Sequence, residues 1–390
     1  MIYFVLDANA EQSVRVELAT LAIGIHGTDA DARRTLHPFG DTRYRQATFV
    51  AGLLTLAGQD LRIDEHPGLV PGWTASGTAL RLSVRRPGLP LVPMTYPVLG
   101  DVSALAANPE LLGGVKTIVH IAKGKAATWG EYLREEVEPT EKLAIAARSA
   151  GVEKFIYLSS ISIYDSSGPG RVIDERNPPN ASFLAVNPYG RAKVEVERRI
   201  LQLHRSGAFE VVIVRPGIVL GDGSDPCHRG VANWISRSAV VHWTNGANPL
   251  PLVLVDDVAD AIITVATRSV PSTSYNLVAG STLTARDYMK IMGTAASLRI
   301  VEHDAADLSG YVASLAKWAA KGFNRSGAGR PPRHEGSMRA FEATFSNALA
   351  CQELLWTPIS DNATIGERGI ARPARLWANG RPDTRAHVSA

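Results

Sequence analysis

The sequence predicts an α/β fold with a doubly wound, parallel, Rossmann-like sheet and a smaller C-terminal substrate-binding lobe. Three observations support this prediction. Short β-branched runs alternate with longer helical stretches from about residue 79 to 220, which is typical of a parallel sheet flanked by helices. Loop-like sequence then interrupts the alternation, as expected of a second lobe. The chain has 390 residues, 45% of them hydrophobic and 20% charged, which is enough for a sizeable core.

Four strands are predicted in the alternating region, at residues 79–84, 116–121, 154–159 and 210–215. An amphipathic helix, EEVEPTEKLAIAARSAG, lies between the second and third strands and ends at Gly151, a residue suited to a left-handed C-terminal position. Another helix starts at Asn187 as N-cap, with Pro188 in its first turn. The segments PLVLV and DDVADAIITVATRS resume the strand–helix pattern after residue 250.

These elements suggest the domain organisation. We expect a dinucleotide-binding domain over residues 48–222, continued by 250–283, and a substrate-binding lobe over 223–249 and 284–367. Residues 1–47 keep neither a helical nor a strand period and form an N-terminal extension of unclear structure. The polar, breaker-rich residues 368–390 are expected to form a poorly ordered tail.

Composition excludes several classes of function. The 41 basic and 38 acidic side chains are spread along the chain, which argues against a nucleic-acid-binding protein. Two distant cysteines, Cys227 and Cys351, suggest neither a disulfide framework nor a metal site, and fit a reducing cytoplasm. The start MIYFVLDANAEQ lacks the basic region of a signal peptide, and no apolar run reaches the ~20 residues that a membrane span needs.

The strongest chemical signal is Tyr189 followed by Lys193. On a helix this spacing places both side chains on one face, and none of the other nine tyrosines has a lysine at that offset. A nearby ammonium stabilises a phenolate and lowers the tyrosine pKa, so that the pair can exchange a proton with a substrate oxygen. The alternative is an ordinary solvated helix face.

Ser160 lies where a predicted strand, KFIYLSS, ends. Doubly wound folds build their sites at the carboxyl ends of parallel strands. A hydroxyl there could hold the oxygen that the tyrosine protonates. The alternative is that Ser160 only forms a turn.

The surrounding motifs occur in a fixed order. They are VRRP (84–87), GDVSAL (100–105), TIVHIA (117–122), GVEKFIYLSSISIY (151–164), PYGRAK (188–193), VVIVRPGIVLGDG (211–223) and NPLPLVLVDDVADAI (248–262). With them the chain, over roughly residues 48–365, resembles the extended short-chain dehydrogenase/reductase family, also called the NAD-dependent epimerase/dehydratase family.

The resemblance implies roles for individual residues. Tyr189 would be the general acid/base, Lys193 would lower its pKa and bind the nicotinamide ribose, and Ser160 would hold the reacting oxygen. Positions along the cofactor would be Asp101 and Val102 near the adenine, Ile121 and Ala122 along its length, and Pro216 and Gly217 beside the nicotinamide. A homodimer through the tyrosine-bearing helix is also implied.

The glycine-rich phosphate loop that such a fold needs is not intact. The best candidate is TFVAGLLTLAGQDL, in which Gly52 and Gly58 hold the first and third positions and Thr55 replaces the middle glycine. Gly24 and Gly27 form a rival that lies too far before the second strand. Either the loop is rebuilt and still binds cofactor, or this region is a degraded start; both glycines could also be ordinary ones.

Two arginines, Arg85 and Arg86, end the predicted second strand, where NAD-binding members carry an acid. A guanidinium there suits the ribose phosphate of NADP, so NADP is favoured and NAD stays possible. Arginines of this kind are also common on surfaces.

Two departures from the family pattern bear on activity. Glu136 and Pro139 stand where the family usually has the Asn and Gly of NVxGT, and the asparagine commonly connects the site to its proton relay. Family dehydratases carry an Asp-Glu pair after the strand-end hydroxyl, whereas Ser160 is followed by Ile161 and Ser162. The resemblance therefore favours epimerisation, or net reduction or oxidation, over dehydration.

The substrate is expected to be a small molecule with a hydroxyl/ketone centre, by analogy a nucleotide sugar, with small ketones and steroid-like alcohols as alternatives. A basic group in the predicted lobe could meet its phosphates or could be a solvated face: Lys317, Lys321, Arg325 and Arg330. A second hypothesis is a non-catalytic dinucleotide-fold protein, either a redox-sensing partner or an inactive remnant.

Overall fold

The structure is a computed structural model of the chain. It describes residues 5–6, 60–66, 79–85, 92–95, 102–112, 115–122, 126, 128–180, 184–185, 187–205, 207–221, 224–304 and 339–379.

The strands, in chain order, are β1 (Val5–Leu6), β2 (Asp60–His66), β3 (Ala79–Arg85), β4 (Val92–Thr95), β5 (Thr117–His120), β6 (Lys154–Leu158), β7 (Val172–Ile173), β8 (Glu210–Pro216), β9 (Ile218–Leu220), β10 (Asn233–Ser236), β11 (Ala239–Val241), β12 (Leu252–Leu254), β13 (Ser274–Leu277), β14 (Val301–His303) and β15 (Thr344–Phe345).

The α-helices are α1 (Val102–Ala107), α2 (Trp129–Tyr132), α3 (Glu138–Ser149), α4 (Pro188–Leu201), α5 (Val255–Thr267), α6 (Ala285–Ala295), α7 (Ala348–Glu353), α8 (Asn362–Thr364) and α9 (Arg372–Asn379). Two π-helical turns, Leu133–Val137 and Ile365–Ala371, join α2 to α3 and α8 to α9. Short 3-10 turns occupy Pro109–Leu112 and Ile161–Ile163.

The central sheet has the order β1-β5-β6-β8-β13. Strands β5, β6, β8 and β13 run parallel, and β1 pairs antiparallel with β5. Both faces are covered: Ile156 of β6 packs in a cluster with α5, while Phe155 and Tyr157 pack on the other face with α3 and α4. Such double coverage explains why β6 is apolar along its length rather than alternating. The predicted α/β fold with a parallel central sheet is confirmed.

The strand predicted at residues 79–84 exists as β3, but its assignment to the parallel sheet is wrong. Strand β3 is the middle of a separate antiparallel sheet, β2-β3-β4. Its register places Asp60 opposite Arg85, Leu61 opposite Val84 and Ile63 opposite Leu82, so that the pairs in the first part of β2 match in character. Its partner β2 covers Asp60–His66, shortly after Gly58, the last glycine of the candidate phosphate loop.

The two predicted helices that flank the site form as expected at their ends. Helix α3 is followed by Gly151 at φ +81°, the left-handed conformation that glycine adopts without strain. Helix α4 starts at Pro188, and its N-cap Asn187 accepts a hydrogen bond from the Gly190 N–H at 3.2 Å.

A π turn before α3 interrupts what the sequence predicts as a regular helix. Pro139 has no N–H and therefore cannot continue the usual series of backbone hydrogen bonds. The Glu138 N–H reaches back five residues to the Leu133 carbonyl, which gives the wider turn. As a result Glu136 lies buried against α4 at 2% exposure.

The end of the chain differs from the prediction. A disordered tail from Arg368 is wrong for residues 368–379, which continue a π turn into α9. Ile370 and Ala374 are fully buried in a cluster with Leu220 and Leu254, and burial of these apolar side chains offsets the polar composition. Within the described ranges, no helix has both the length and the apolar character needed to cross a membrane.

Candidate functional site

The candidate site lies at the carboxyl edge of the parallel sheet. Because β5, β6 and β8 are adjacent and parallel, the residues that follow them meet at one edge. Ile121 follows β5, Ser159 and Ser160 follow β6, and Pro216 is the last residue of β8. Helix α4 packs beside this edge and brings its first turns to the same place.

The structure brings Ser160, Tyr189 and Lys193 together. The Ser160 side chain lies close enough to the Tyr189 hydroxyl to lower the pKa of Tyr189, and the Lys193 Nζ lies 5.6 Å from the centroid of the Tyr189 ring. Ser160 and Tyr189 are half-buried, whereas Lys193 is 3% exposed. Ser160 and Tyr189 are thus partly exposed residues, and Lys193 is buried next to them.

Lys193 is held in a buried polar setting. Its Nζ donates to the Leu158 carbonyl at 3.0 Å, lies 3.0 Å from Glu136 Oε1, and sits 4.7 Å from the centroid of the Tyr157 ring. Burial alone lowers the pKa of Lys193, but Tyr157 and the Glu136 carboxylate more than compensate and raise it well above its ordinary value. The side chain is thus an ammonium at neutral pH.

The pKa of Tyr189 reflects opposing influences. Burial raises it, the Lys193 ammonium lowers it, and the Glu136 carboxylate raises it again, so that the net shift is upward. Lys193 acts in the direction that the sequence predicts, but it does not prevail in the structure. The tyrosine is a neutral phenol at neutral pH.

His120 is a site residue that the sequence reasoning missed. Its Nε2 is 2.9 Å from the Thr140 hydroxyl, which donates to the Glu136 carbonyl at 2.6 Å. The imidazole stacks on Tyr157 with ring centroids 5.7 Å apart. Burial, assisted by Lys193, lowers its pKa to about 3 and keeps it neutral. Only its place one residue before Ile121, at a strand end, could have indicated it.

A second buried network supports the serine-bearing end of β6. The Arg215 guanidinium bridges both oxygens of Glu197, with Nε at 3.1 Å and Nη2 at 2.7 Å, and its Nη1 donates to the Tyr164 hydroxyl at 2.7 Å. The Ser159 hydroxyl donates to Glu197 Oε1 at 2.5 Å. Because Ser159 precedes Ser160 directly, this ion pair fixes the backbone that carries the candidate catalytic hydroxyl.

The predicted cofactor positions divide into two groups. Val102 is buried at the start of α1, and Ile121 is buried, with Ala122 half-buried, after β5. Pro216 is buried at the end of β8, and Gly217 follows it. A Cβ on Gly217 would lie 2.0 Å from the Pro251 carbonyl oxygen, so close packing of backbone requires glycine at this position.

One further predicted residue that the structure describes, Arg85, is not brought to this edge. Arg85 ends β3, which lies outside the parallel sheet. The prediction that Arg85 binds the cofactor assumed that it ends the second parallel strand, and this assumption is wrong. The remaining predicted site residues lie outside the described residues: Gly52, Thr55, Gly58, Arg86, Asp101, Lys317, Lys321, Arg325 and Arg330.

Comparisons with known proteins agree with this picture. A family model described as the NAD dependent epimerase/dehydratase family matches residues 75–277. The chain is 26% identical over 174 residues to a UDP-glucose 4-epimerase of Vibrio cholerae, covering 43% of this chain and 52% of the relative. It is 25% identical over 200 residues to a 4-hydroxy-2-methyl-3-oxo-4-farnesyl-3,4-dihydroquinoline-1-oxide ketoreductase of Stigmatella aurantiaca, covering 50% and 58%. The chain thus spans about half the length of the curated relatives it matches.

A solved structure shares the fold. MoeE5, in complex with UDP-glucuronic acid and NAD, superposes with a TM-score of 0.52 at 22% identity, covering 72% of this chain and 85% of that one. At this identity the likeness concerns the arrangement of the sheet and helices.

Proposed function

We propose, because this chain belongs to the NAD-dependent epimerase/dehydratase family, that it transfers a hydride at a hydroxyl/ketone centre of a small molecule, and that this molecule is a nucleotide sugar. The observation that carries the proposal is the pair of neighbouring hydroxyl side chains, Ser160 and Tyr189, next to the Lys193 ammonium. The relatives that act on or bind nucleotide sugars support the substrate class.

The geometry suits proton transfer to or from one substrate oxygen. When bound, a nicotinamide dinucleotide supplies or accepts the hydride. In reduction, the neutral Tyr189 phenol gives its proton to the carbonyl oxygen while the carbonyl carbon gains hydride and its electron pair. In oxidation, the alcohol carbon loses hydride and the alcohol proton passes to the phenolate. Ser160 donates a hydrogen bond to the same oxygen and orients it.

The residues at the sheet edge fit such a cofactor. Lys193 is charged, fixed and next to Tyr189, where it would donate to ribose hydroxyls. Ile121 and Ala122 follow β5 at the same edge, and Ala122 is partly exposed there. The predicted preference for NADP depends on Arg85 and Arg86 at the end of a parallel strand. Arg85 instead ends β3, which lies outside the parallel sheet. The solved structure of MoeE5 contains NAD. We therefore propose a nicotinamide dinucleotide as the cofactor, and NADH and NADPH fluorescence titrations distinguish NAD from NADP.

Hydride chemistry without dehydration is the reaction type we favour. Removal of water needs an additional acid and base beside the strand-end hydroxyl, and Ile161 occupies that place here, 3% exposed in an apolar cluster. Epimerisation through a transient ketone and net ketone reduction both use Ser160, Tyr189 and Lys193 alone. The substrate-binding lobe, a cytoplasmic location and a homodimer through α4 remain predictions.

The alternative is a non-catalytic protein of the same fold. The contact that favours it is the Lys193–Glu136 ion pair. Glu136 offsets the positive charge of Lys193, which a catalytic tyrosine needs to lower its pKa. The replacement of the middle glycine of the candidate phosphate loop by Thr55 also favours the non-catalytic alternative.

One experiment separates these functions. NADH and NADPH fluorescence titrations test cofactor binding, and turnover is then measured with UDP-glucose, other nucleotide sugars and simple ketones. Tyr189→Phe is expected to lower turnover by about a hundred- to ten-thousand-fold, the usual contribution of a general acid or base, with cofactor binding retained. Tyr275→Phe is the matched control, because it removes a buried hydroxyl that binds Glu353 elsewhere. Full turnover in Tyr189→Phe contradicts the mechanism, and absence of binding to either cofactor favours the inactive remnant.

A further inference from the structure

We propose that Glu136 is a positioning residue that offsets the charge of Lys193 and so keeps Tyr189 a proton donor around neutral pH. The consequence for catalysis rests on the proposed function. The electrostatic effect itself concerns only residues of this chain and can be measured without cofactor or substrate.

The pair is buried and specific. Glu136 Oε1 lies 3.0 Å from Lys193 Nζ, and the two side chains are 1% and 3% exposed. Glu136 Oε2 has no hydrogen-bond partner within the described part of the chain. With water excluded, the two charges interact far more strongly than a surface pair would. Among the described side chains, the carboxylate has two direct partners, this ammonium and the Tyr157 hydroxyl, which donates to Oε1 at 3.4 Å.

The local backbone is built to deliver this carboxylate. Pro139 prevents a regular helix, and the π turn Leu133–Val137 forms just before it in the chain. This wider turn directs Glu136 toward α4. The Thr140 hydroxyl donates to the Glu136 carbonyl at 2.6 Å and secures the turn. The two departures from the family pattern, Glu136 and Pro139, are thus parts of one arrangement.

Four other polar side chains face the pair or Tyr189: His120 from β5, Tyr157 from β6, Tyr132 from α2, and Ser160 after β6. All four are neutral at neutral pH, because burial lowers the pKa of His120 and raises the pKa of both tyrosines.

Among these described side chains, the charges next to Tyr189 sum to zero rather than to +1. A neutral residue at position 136 would leave the ammonium uncompensated, and the phenolate would form at lower pH. With Glu136 present, Tyr189 holds its proton through the neutral range. The site is then suited to protonate a ketone oxygen near pH 7 and to accept an alcohol proton only under alkaline conditions.

The test is the ionisation of Tyr189 in the cofactor-free protein. Phenolate absorbance near 295 nm is titrated in the wild type and in Tyr189→Phe, and the difference isolates Tyr189; the same subtraction is made in Glu136→Gln. We expect the midpoint in Glu136→Gln to fall by at least about one pH unit, a tenfold change in the ionisation constant. Glu135→Gln is the matched control, because Glu135 lies in the same turn but is exposed, and its midpoint should equal the wild-type value.

An unchanged midpoint in Glu136→Gln overturns the proposal, and so does a raised one, which would mean that Lys193 loses its proton without Glu136. Circular dichroism at each pH confirms that the fold is retained. Glu136→Asn provides the same subtraction if the glutamine variant does not fold. Where turnover is present, the alkaline limb of alcohol oxidation should move to lower pH by the same amount. Activity in Tyr189→Phe would refute the proposed function and leave the titration result standing.

Discussion

Replacing Arg215 should reveal how strongly the site is anchored. Arg215→Met keeps the apolar stem but removes the guanidinium, so that the three hydrogen bonds from Arg215 to Glu197 and Tyr164 are lost. The Arg215 and Glu197 side chains are 9% and 7% exposed, which leaves the carboxylate buried with Ser159 as its remaining donor. Breaking a buried ion pair on one side costs about 3–5 kcal/mol, and we expect a loss of unfolding free energy in that range.

Urea unfolding followed by circular dichroism measures this loss directly. Arg198→Met is the matched control, because Arg198 pairs with Glu195 at the surface, 54% and 23% exposed, where such pairs contribute about 0–1 kcal/mol. The double variant Arg215→Met, Glu197→Leu should recover much of the loss, since no unpaired charge stays buried. A loss below about 1 kcal/mol in Arg215→Met would refute the view that this pair anchors the end of β6.

Three further predictions concern single side chains. Burial raises the pKa of Asp257 to about 6; a carboxyl whose folded pKa is raised destabilises the fold above that pH and less so below it. Asp257→Asn, whose amide oxygen can still accept the Ile359 N–H, should therefore gain stability relative to the wild type as the pH of urea unfolding rises from 4 to 7. Gly217→Ala should destabilise by about 1–3 kcal/mol, because its Cβ meets the Pro251 carbonyl and overpacking has such a cost; an unchanged midpoint of thermal unfolding would contradict this packing. Asn187→Ala should lose at least about 1 kcal/mol, the contribution of an N-cap hydrogen bond, because the side chain accepts from Gly190 and also donates to the Ser162 carbonyl; urea unfolding measures the loss, and an unchanged unfolding free energy would contradict it.

Local chemistry made the parallel strands and the helix ends predictable. Continuous apolar runs predict β5, β6 and β8 because both faces of a covered sheet exclude water. Asn187 and Gly151 predict helix ends for local reasons. The asparagine side chain accepts a hydrogen bond from a free N–H of the first turn, and glycine adopts the left-handed conformation after the last turn. The spacing of Tyr189 and Lys193 predicts their proximity for a local reason as well, since four residues complete about one helical turn and place both side chains on one face.

The features that the sequence did not reveal depend on distant partners. Nothing near Glu136 indicates that it meets Lys193, because the contact needs both the π turn and the packing of α4 against it. The antiparallel pairing of β3 depends on β2, a separate stretch of the sequence that ends at His66. Helix α9 carries a polar sequence, and it is ordered by burial of Ile370 and Ala374 against residues more than a hundred positions earlier.

Asn187 makes a second contact whose consequence reaches the chemistry. While its Oδ1 caps α4, its Nδ2 donates to the Ser162 carbonyl at 2.9 Å, two residues after Ser160. One side chain therefore sets the rotational phase of the helix and the position of the serine turn together. Starting the helix one residue early or late would rotate Tyr189 by about 100° around the helix axis, away from Ser160. The two contacts of Asn187 in the first turn of α4 therefore position Ser160 and Tyr189 relative to each other, and this positioning does not require a bound ligand.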